Sequence, residues 1–211
     1  MPGTVATPGP DARASRSRRR PAGTADRILD VAERLVQTRG FNAFSYADVA
    51  AELGVRKASL HHHFATKADL GQAVVARYRS EFLASLSAIE RATGRSIERL
   101  ESYVELYGAV LRRKRMCLCG MLAADVATLP KPLRESVAEF FTENEAWLTR
   151  VLDEGRRRGE LQFEGSVESL AAFFVGTLEG AMLVARGSGH RADFDAAGRR
   201  LLALVAAAST P

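Results

Sequence analysis

The sequence predicts an all-α protein of about nine helices, with a three-helix helix-turn-helix head at the N-terminus and a larger helical domain after it. Three observations support this prediction. Apolar residues recur at spacings of three and four through most of the 211 residues. No segment shows the period-two alternation of a half-buried strand. Capping residues, glycines and prolines divide the pattern into segments of helical length.

Residues 1–23 are basic and rich in proline, glycine and serine. Because they carry few apolar side chains, they cannot offset the entropy cost of ordering, and we expect a disordered arm. The rest of the chain has ordinary globular composition, since 46% of all residues are hydrophobic and 26% are charged. The net charge of +5 favours an anionic partner.

Several features favour a cytoplasmic protein with no membrane segment. The two cysteines, Cys117 and Cys119, are too few for a disulfide framework, and their spacing suits neither a zinc pair nor a redox motif. No secretory leader pattern is present, and the most apolar stretch, Leu170 to Ala185, is interrupted by Glu179. No pattern predicts a metal, a cofactor or a catalytic set of side chains, so we expect no enzyme.

The first and fourth helices are predicted from their caps and apolar stripes. Thr24 is the expected N-cap of the first helix, and Gly40 is its expected end. Thr66 is the expected N-cap of the fourth. Their buried faces are predicted to carry Ile28, Ala32, Leu35 and Val36 in the first helix, and Leu70, Val74, Tyr78 and Phe82 in the fourth.

The segment from Ser45 to Phe64 has the features of a helix-turn-helix. Ser45 and Asp48 have capping-box spacing at the start of its first helix. Ala50 is small enough for two helices to approach closely, and Gly54, four residues later, tolerates the positive φ of the turn. A second short helix then follows, over about Lys57 to His63.

The larger domain is predicted to hold five further helices. Their approximate limits are Ile97 to Leu111, Cys117 to Ala127, Leu133 to Gly159, Val167 to Arg186 and Phe194 to Ala207. Pro130 and Pro132 stop the second of these.

The second helix of such a motif places its N-terminal end at base edges in the major groove of DNA. Its outward residues here would be Arg56, Lys57, Ser59, His61 and His62. Arg56 and Lys57 can donate to guanine O6 and N7. The alternative is a helical hairpin in an ordinary bundle, with these side chains on a solvated face.

The segment from Thr24 to about Val75, a quarter of the chain, resembles the TetR family of repressors. The matching residues are Arg27-Ile28-Leu29, Ala32, Leu35, Gly40-Phe41, Ser45, Asp48-Val49-Ala50, Leu53-Gly54-Val55, Leu60, His63-Phe64, Lys67 and Leu70. The resemblance implies a DNA-binding domain over residues 24–71 and a ligand-binding and dimerisation domain over residues 72–211. It implies a repressor that binds a palindromic operator in double-stranded DNA as a homodimer and is released by a small-molecule effector.

The predicted DNA contacts are Ser45, Tyr46, Arg56, Lys57, Ser59, His61, His62, His63 and Lys67. His61 stands where the resemblance would place a tyrosine, and Arg56 where it would place a small hydroxylated residue. Adjacent helical residues point about 100° apart, so His61, His62 and His63 cannot converge on one metal ion. We expect His63 to pack beside Phe64.

The last two long helices are predicted to form the dimer interface. Gly176 and Gly180 are four residues apart and would let another helix approach closely. The predicted interface residues are Phe174, Leu178, Met182, Leu201 and Leu204. The alternative is that the more apolar helix, Val167 to Arg186, is an internal core helix.

The predicted effector site is lined by Tyr103, Tyr107, Cys117, Met121, Phe140, Trp147, Phe173 and Glu179. This mixture suits a mostly apolar ligand with one polar group, although each residue alone could be core. Cys117 follows four cations, which makes Cys117 or Cys119 a candidate for reaction with a thiol-reactive effector. A pair of buried structural thiols is the favoured alternative, because free cysteines are among the most buried residues. An alternative function is a DNA-scaffolded interaction protein with no small-molecule effector.

Overall fold

A computed structural model describes residues 23–207, and every regular element in that range is helical. Residues 1–22, most of the predicted arm, lie outside the described part. The helices are α1 (Thr24–Arg39), α2 (Tyr46–Leu53), α3 (Lys57–His63), α4 (Lys67–Ala92), α5 (Ser96–Arg112), α6 (Leu118–Ala124), α7 (Lys131–Arg157), α8 (Val167–Ser188) and α9 (Arg191–Ala203). A short 3-10 helix (Val126–Thr128) follows α6. The predicted all-α fold is confirmed.

The predicted helix starts are confirmed where a side-chain cap defines them. Ser45 and Asp48 form the capping box of α2, and Thr66 forms the corresponding box of α4. The start of α1 is wrong by one residue, because Gly23 is its N-cap and Thr24 is already helical. The predicted helix Cys117 to Ala127 is shorter, since α6 ends at Ala124. The predicted start of the last helix at Phe194 is late, since α9 begins at Arg191.

Helices α1, α2 and α3 form a small head around a continuous apolar centre. Ile28, Leu35, Val49 and Leu60 are almost completely buried there. Gly54 has φ 66° and ψ 33°, the left-handed conformation that glycine adopts without the usual steric cost. The head therefore fixes α3 against α2 through a tight turn and shared apolar burial.

Helix α4 joins the head to the larger domain without interruption. It packs against α1 of the head and against α5 and α7 of the larger domain. The predicted domain boundary between residues 71 and 72 falls inside this helix. In the larger domain, α5, α7, α8 and α9 pack around buried residues that include Leu100, Phe140 and Phe174.

Polar contacts fix the C-terminal end of α1 to the larger domain. The Asp125 carboxylate accepts a hydrogen bond from the Phe41 amide at 2.9 Å. The Arg186 guanidinium donates to the carbonyl of Thr38 at 2.5 Å and to that of Gln37 at 3.4 Å. The orientation of the head therefore depends on residues far along the chain.

Helix α8 is long and apolar enough, by length and composition, to cross a membrane. One face of α8 packs on α7 and α9 within the subunit. The opposite face is apolar and exposed, with Phe173 at 51%, Leu183 at 55% and Val184 at 61% exposure.

Candidate nucleic-acid interface

The outward face of α3 is cationic and exposed. Arg56, Lys57, His61 and His62 are exposed, Ser59 is half-buried, and Leu60 on the opposite face is fully buried. The helix contains no acidic residue. This arrangement separates an exposed side from a core-facing side, as the helical spacing predicts. The exposed side also includes Ala58, a small apolar side chain that suits a thymine methyl group.

The nearest acidic residues of α2 are paired with arginines of α1. Glu52 forms an ion pair with Arg34, and Asp48 lies 3.9 Å from Arg39. These pairs partly neutralise the two carboxylates of α2. The positive field of α3 is therefore less opposed by its neighbouring helix.

Tyr46 was predicted to contact DNA, and the structure contradicts this. The side chain is buried, and its hydroxyl lies 2.8 Å from the carbonyl oxygen of Phe64 and 2.6 Å from that of Thr66. Burial raises the pKa of Tyr46 to about 12. The residue fixes the turn between α3 and α4, so it positions the recognition surface from inside.

His61 is exposed, and its ring orientation is fixed. Nδ1 lies 3.0 Å from the carbonyl oxygen of Ala65, and the ring packs on Tyr46 with 4.7 Å between centroids. Because a carbonyl can only accept, Nδ1 is the protonated nitrogen and Nε2 remains available to a ligand. The neutral ring presents an acceptor there, and the doubly protonated ring presents a donor.

The prediction that His63 packs beside Phe64 is wrong. His63 is exposed, and its ring meets the edge of His62 at a centroid distance of 5.4 Å. Both rings border a shallow surface depression of about 570 Å³, together with Thr24, Arg56 and Ser59. The start of α1 therefore lies at the rim of the α3 surface, a proximity that sequence spacing alone did not indicate.

Ser45 and Lys67 have structural partners that limit their predicted roles. The Ser45 hydroxyl donates to Asp48 at 2.7 Å, as part of the capping box. The Lys67 ammonium donates to the Phe44 carbonyl at 2.6 Å and lies 4.6 Å from the ring centroid of Phe41. Desolvation lowers the pKa of Lys67. Both residues stabilise the region around the start of α2.

A second cluster lies inside the larger domain and brings together most of the predicted effector-site residues. The hydroxyl groups of Tyr103 and Tyr107 are 3.3 Å apart, and Tyr103 donates to Asn144 at 3.0 Å. Trp147 stacks on Tyr103 with 5.4 Å between ring centroids. Phe140 is also buried, and Met121 is half-buried.

Glu179 supplies a buried carboxyl group to this cluster. Its Oε1 atom is buried without a hydrogen-bond partner, and the indole nitrogen of Trp147 is in the same state. Burial raises the pKa of Glu179 to about 7. A Cβ atom at Gly120 would collide with the carboxyl group in its present position, so glycine leaves room for this carboxyl where α6 meets α8. Two orphaned polar groups in an aromatic environment favour a ligand that carries polar atoms.

The surroundings of the two cysteines distinguish an activated thiol from buried structural thiols. Both cysteines are buried, and burial raises the pKa of Cys117 and of Cys119 well above the usual value. The adjacent Glu179 carboxyl acts in the same direction. The buried-thiol alternative describes this site, and a thiol-reactive effector has no physical support here.

Several predicted residues of α8 and α9 lie on the wrong face for their roles. Phe174, Leu178, Met182 and Leu201 are at most 1% exposed, so they pack inside the subunit and cannot contact a second copy. Leu204 is 46% exposed and stays a predicted interface residue. Phe173 projects from the surface, so it does not line an interior effector site.

The helix-turn-helix head, its cationic recognition helix and the helical domain behind it define the class of helix-turn-helix DNA-binding regulators. Comparison with known proteins identifies the family. Residues 28–74 match the family model described as bacterial regulatory proteins, tetR family, and residues 96–201 match that of the tetracyclin repressor-like C-terminal domain. The chain belongs to the TetR family and is a DNA-binding transcriptional regulator.

Solved structures and a curated relative agree with this assignment. A TetR-family regulator from Agrobacterium tumefaciens is 36% identical, with a TM-score of 0.85 over 87% of this chain and 97% of that protein. A TetR regulator from Legionella pneumophila is 31% identical, with a TM-score of 0.80 over 87% of this chain and 97% of that protein. The HTH-type transcriptional repressor DhaR of Mycobacterium sp. (strain GP1) is 23% identical over 160 residues, which are 74% of this chain and 79% of that protein.

Proposed function

We propose that this TetR-family regulator represses transcription by binding a palindromic operator as a homodimer, and that a small molecule bound inside the larger domain releases it. The observation that carries the proposal is the exposed cationic face of α3. A protein that acts on chromosomal operators works in the cytoplasm, and we propose that location for it.

Base recognition is assigned to the N-terminal half of α3. Arg56 and Lys57 reach outward where such a helix meets base edges, and both can donate to guanine. Ala58 offers a methyl contact to thymine. The Nε2 atom of His61 is free of the Ala65 carbonyl, and it can donate a hydrogen bond to a phosphate of the DNA backbone only when the ring is doubly protonated.

Dimerisation is assigned to the exposed face of α8, and exposed Leu204, directly after α9, stays a further interface residue. One short recognition helix covers only part of a helical turn, so useful affinity needs two heads spaced about 34–36 Å, or a multiple of it, apart. Phe173, Leu183 and Val184 form an apolar stripe, and Gly176 and Gly180 on the same helix carry no side chain that would hold a second helix away. An apolar stripe of this kind is typical of a protein–protein interface.

The effector site is assigned to the cluster around Glu179. The buried carboxyl group and the unpaired indole of Trp147 would supply the polar contacts, and the tyrosines would supply the walls. By linkage, a ligand that releases DNA must bind the DNA-incompetent conformation more tightly. Helix α6 connects this cluster to the head, since Gly120 meets Glu179 and Asp125 holds the Phe41 amide.

The test is footprinting of the purified chain on the DNA upstream of its own gene, followed by fluorescence anisotropy on the protected site. We expect one palindromic footprint and a loss of roughly tenfold or more in operator affinity for Lys57→Ala, as for a base contact. Lys131→Ala is the matched control, because Lys131 is an exposed lysine at the start of α7. Uniform, sequence-blind protection contradicts the proposal. If the footprint is specific but no small-molecule extract of the cell abolishes it, the result would support the alternative of a DNA-scaffolded interaction protein.

A further inference from the structure

An open groove lies between the loop that follows α5 and the junction of α8 with α9. Its volume is about 570 Å³. Five cationic side chains line it, namely Arg112, Lys114, Arg115, Arg186 and Arg191. No acidic residue lines it. It does not share a lining residue with the α3 surface or with the cluster around Glu179.

Only two of these five charges are paired with carboxylates. Arg112 pairs with Glu105, and Arg191 lies 3.4 Å from Asp195. The remaining three cations form no ion pair with any residue of the described range 23–207. The groove therefore keeps a positive excess that an anion would neutralise.

Lys114 is held in a backbone conformation that lysine disfavours. Its φ is 57°, and it is the only residue other than glycine with a positive φ in the part of the chain that the structure describes. Glycine is the usual residue at such a position after a helix. A strained lysine that projects its charge into a groove is an observation that points to function.

The wall of the groove is apolar where it meets the protein interior. Met116 and Ala185 are buried, and Leu111 is half-buried. Cations around an apolar wall suit a molecule with a charged head and a hydrocarbon body. We propose that this groove is a binding site for an organic anion, a carboxylate or phosphate attached to an aliphatic or aromatic body.

Two of the groove cations also hold the DNA-binding head. Arg186 donates to the carbonyls of Gln37 and Thr38, and Arg115 lies within 3.4 Å of the Gln37 side-chain oxygen. A bound anion competes for these guanidinium groups, because a charge-assisted hydrogen bond is stronger than one to a neutral carbonyl. Occupancy of the groove would therefore loosen the end of α1 and weaken operator binding. This second part rests on the proposed function.

Calorimetry on the full chain without DNA tests the site alone. The probes are octanoate and octyl phosphate, with octanol and octylamine as neutral and cationic controls of the same chain length. We expect saturable binding of one anion per chain that weakens as ionic strength rises. Lys114→Glu should lower the affinity about tenfold or more by reversing a groove charge, whereas Lys114→Gly, which also relieves the backbone, should lower it about threefold. Lys131→Glu is the matched control and should change it less than about twofold.

The outcomes separate the possibilities. Binding of octanoate alone identifies a carboxylate site, binding of octyl phosphate alone identifies a phosphate site, and either supports the proposal. Absence of saturable binding by both anions overturns it. Equal binding of octanol overturns it, and so does an equal loss of affinity in Lys131→Glu.

Operator anisotropy with and without octanoate tests the coupling, with sodium chloride at the same ionic strength as the control. The factor by which octanoate weakens operator binding should equal the factor by which operator weakens octanoate binding. Unchanged operator affinity at saturating octanoate overturns the coupling. A chain that binds no operator at all contradicts the proposed function, while the calorimetric result on the groove still stands.

Discussion

Replacing Val184 by aspartate tests whether the exposed face of α8 holds two subunits together. Phe173, Leu183 and Val184 are each about half exposed in the single chain. Full burial of such a side chain contributes roughly 1.5–3 kcal/mol, so covering the exposed half contributes about 1 kcal/mol each. Over two subunits the three side chains contribute about 6 kcal/mol to dimerisation.

Val184→Asp removes about 1 kcal/mol of this burial in each subunit and places an unpaired carboxylate in the interface at a cost of at least about 1 kcal/mol per copy. The sum is about 4 kcal/mol, or about a thousandfold in the dimer Kd. Sedimentation velocity over a concentration series measures the shift. Circular dichroism should show unchanged helix content, because the side chain is exposed within the subunit.

Val126→Asp is the matched control, since Val126 is 44% exposed on the short 3-10 helix, away from α8. Its dimer Kd should equal that of the unmodified chain. A Val184→Asp chain that stays dimeric at the same concentrations as this control would show that the subunits associate through another surface. Operator binding should weaken in parallel with dissociation, since a monomer presents a single head.

Three further predictions concern buried groups. Because burial raises the pKa of Glu179 from 4.5 to about 7, the folded chain should lose about 2.5 kcal/mol of stability as pH rises from 5 to 8, relative to Glu179→Gln. Urea unfolding of both proteins at both pH values measures this difference in stability. An equal change in the free energy of unfolding of the two proteins would refute the prediction. Cys117 and Cys119 should resist iodoacetamide at pH 8 until urea is added; rapid labelling of the folded chain contradicts their assignment as buried thiols. Tyr46→Phe should lower the free energy of unfolding by about 1 kcal/mol and weaken operator binding. An unchanged melting temperature would contradict the role of Tyr46 in fixing the turn between α3 and α4.

The sequence predicts the head well because its signals are local. Ser45 and Asp48 are three residues apart, and Gly54 needs only its own backbone to form the turn. The alternation of exposed Lys57 and buried Leu60 follows from helical periodicity once the turn is placed. Tyr46 is the exception, since its partners lie beyond α3 and only the folded chain brings them together.

The faces of α8 could not be predicted because the helix is apolar nearly all round. Phe173 and Phe174 are neighbours in sequence and about 100° apart on the helix, yet one is exposed and the other fully buried. Composition gives no sign of which side meets α7 and α9. The periodic pattern predicts the helix, but only its contacts with α7 and α9 determine which of its faces is buried.

The environment of Cys117 could not be predicted for a different reason. The four cations that precede it in sequence suggested an electropositive thiol, but three of them line the groove beyond α5. The group beside the thiol is instead Glu179, which lies far along the chain on α8. The residues that precede Cys117 in sequence are therefore cationic, whereas the ionisable group beside it in the folded chain is a carboxyl group.

The unbroken course of α4 has a mechanical consequence. Its 26 residues form a rod of about 39 Å, so a tilt of about 5° at the end inside the larger domain displaces the opposite end by roughly 3 Å. No flexible joint intervenes to absorb that motion. In a symmetric pair of subunits the two displacements add. The spacing between the two recognition helices then no longer matches the spacing between successive major-groove turns of the duplex.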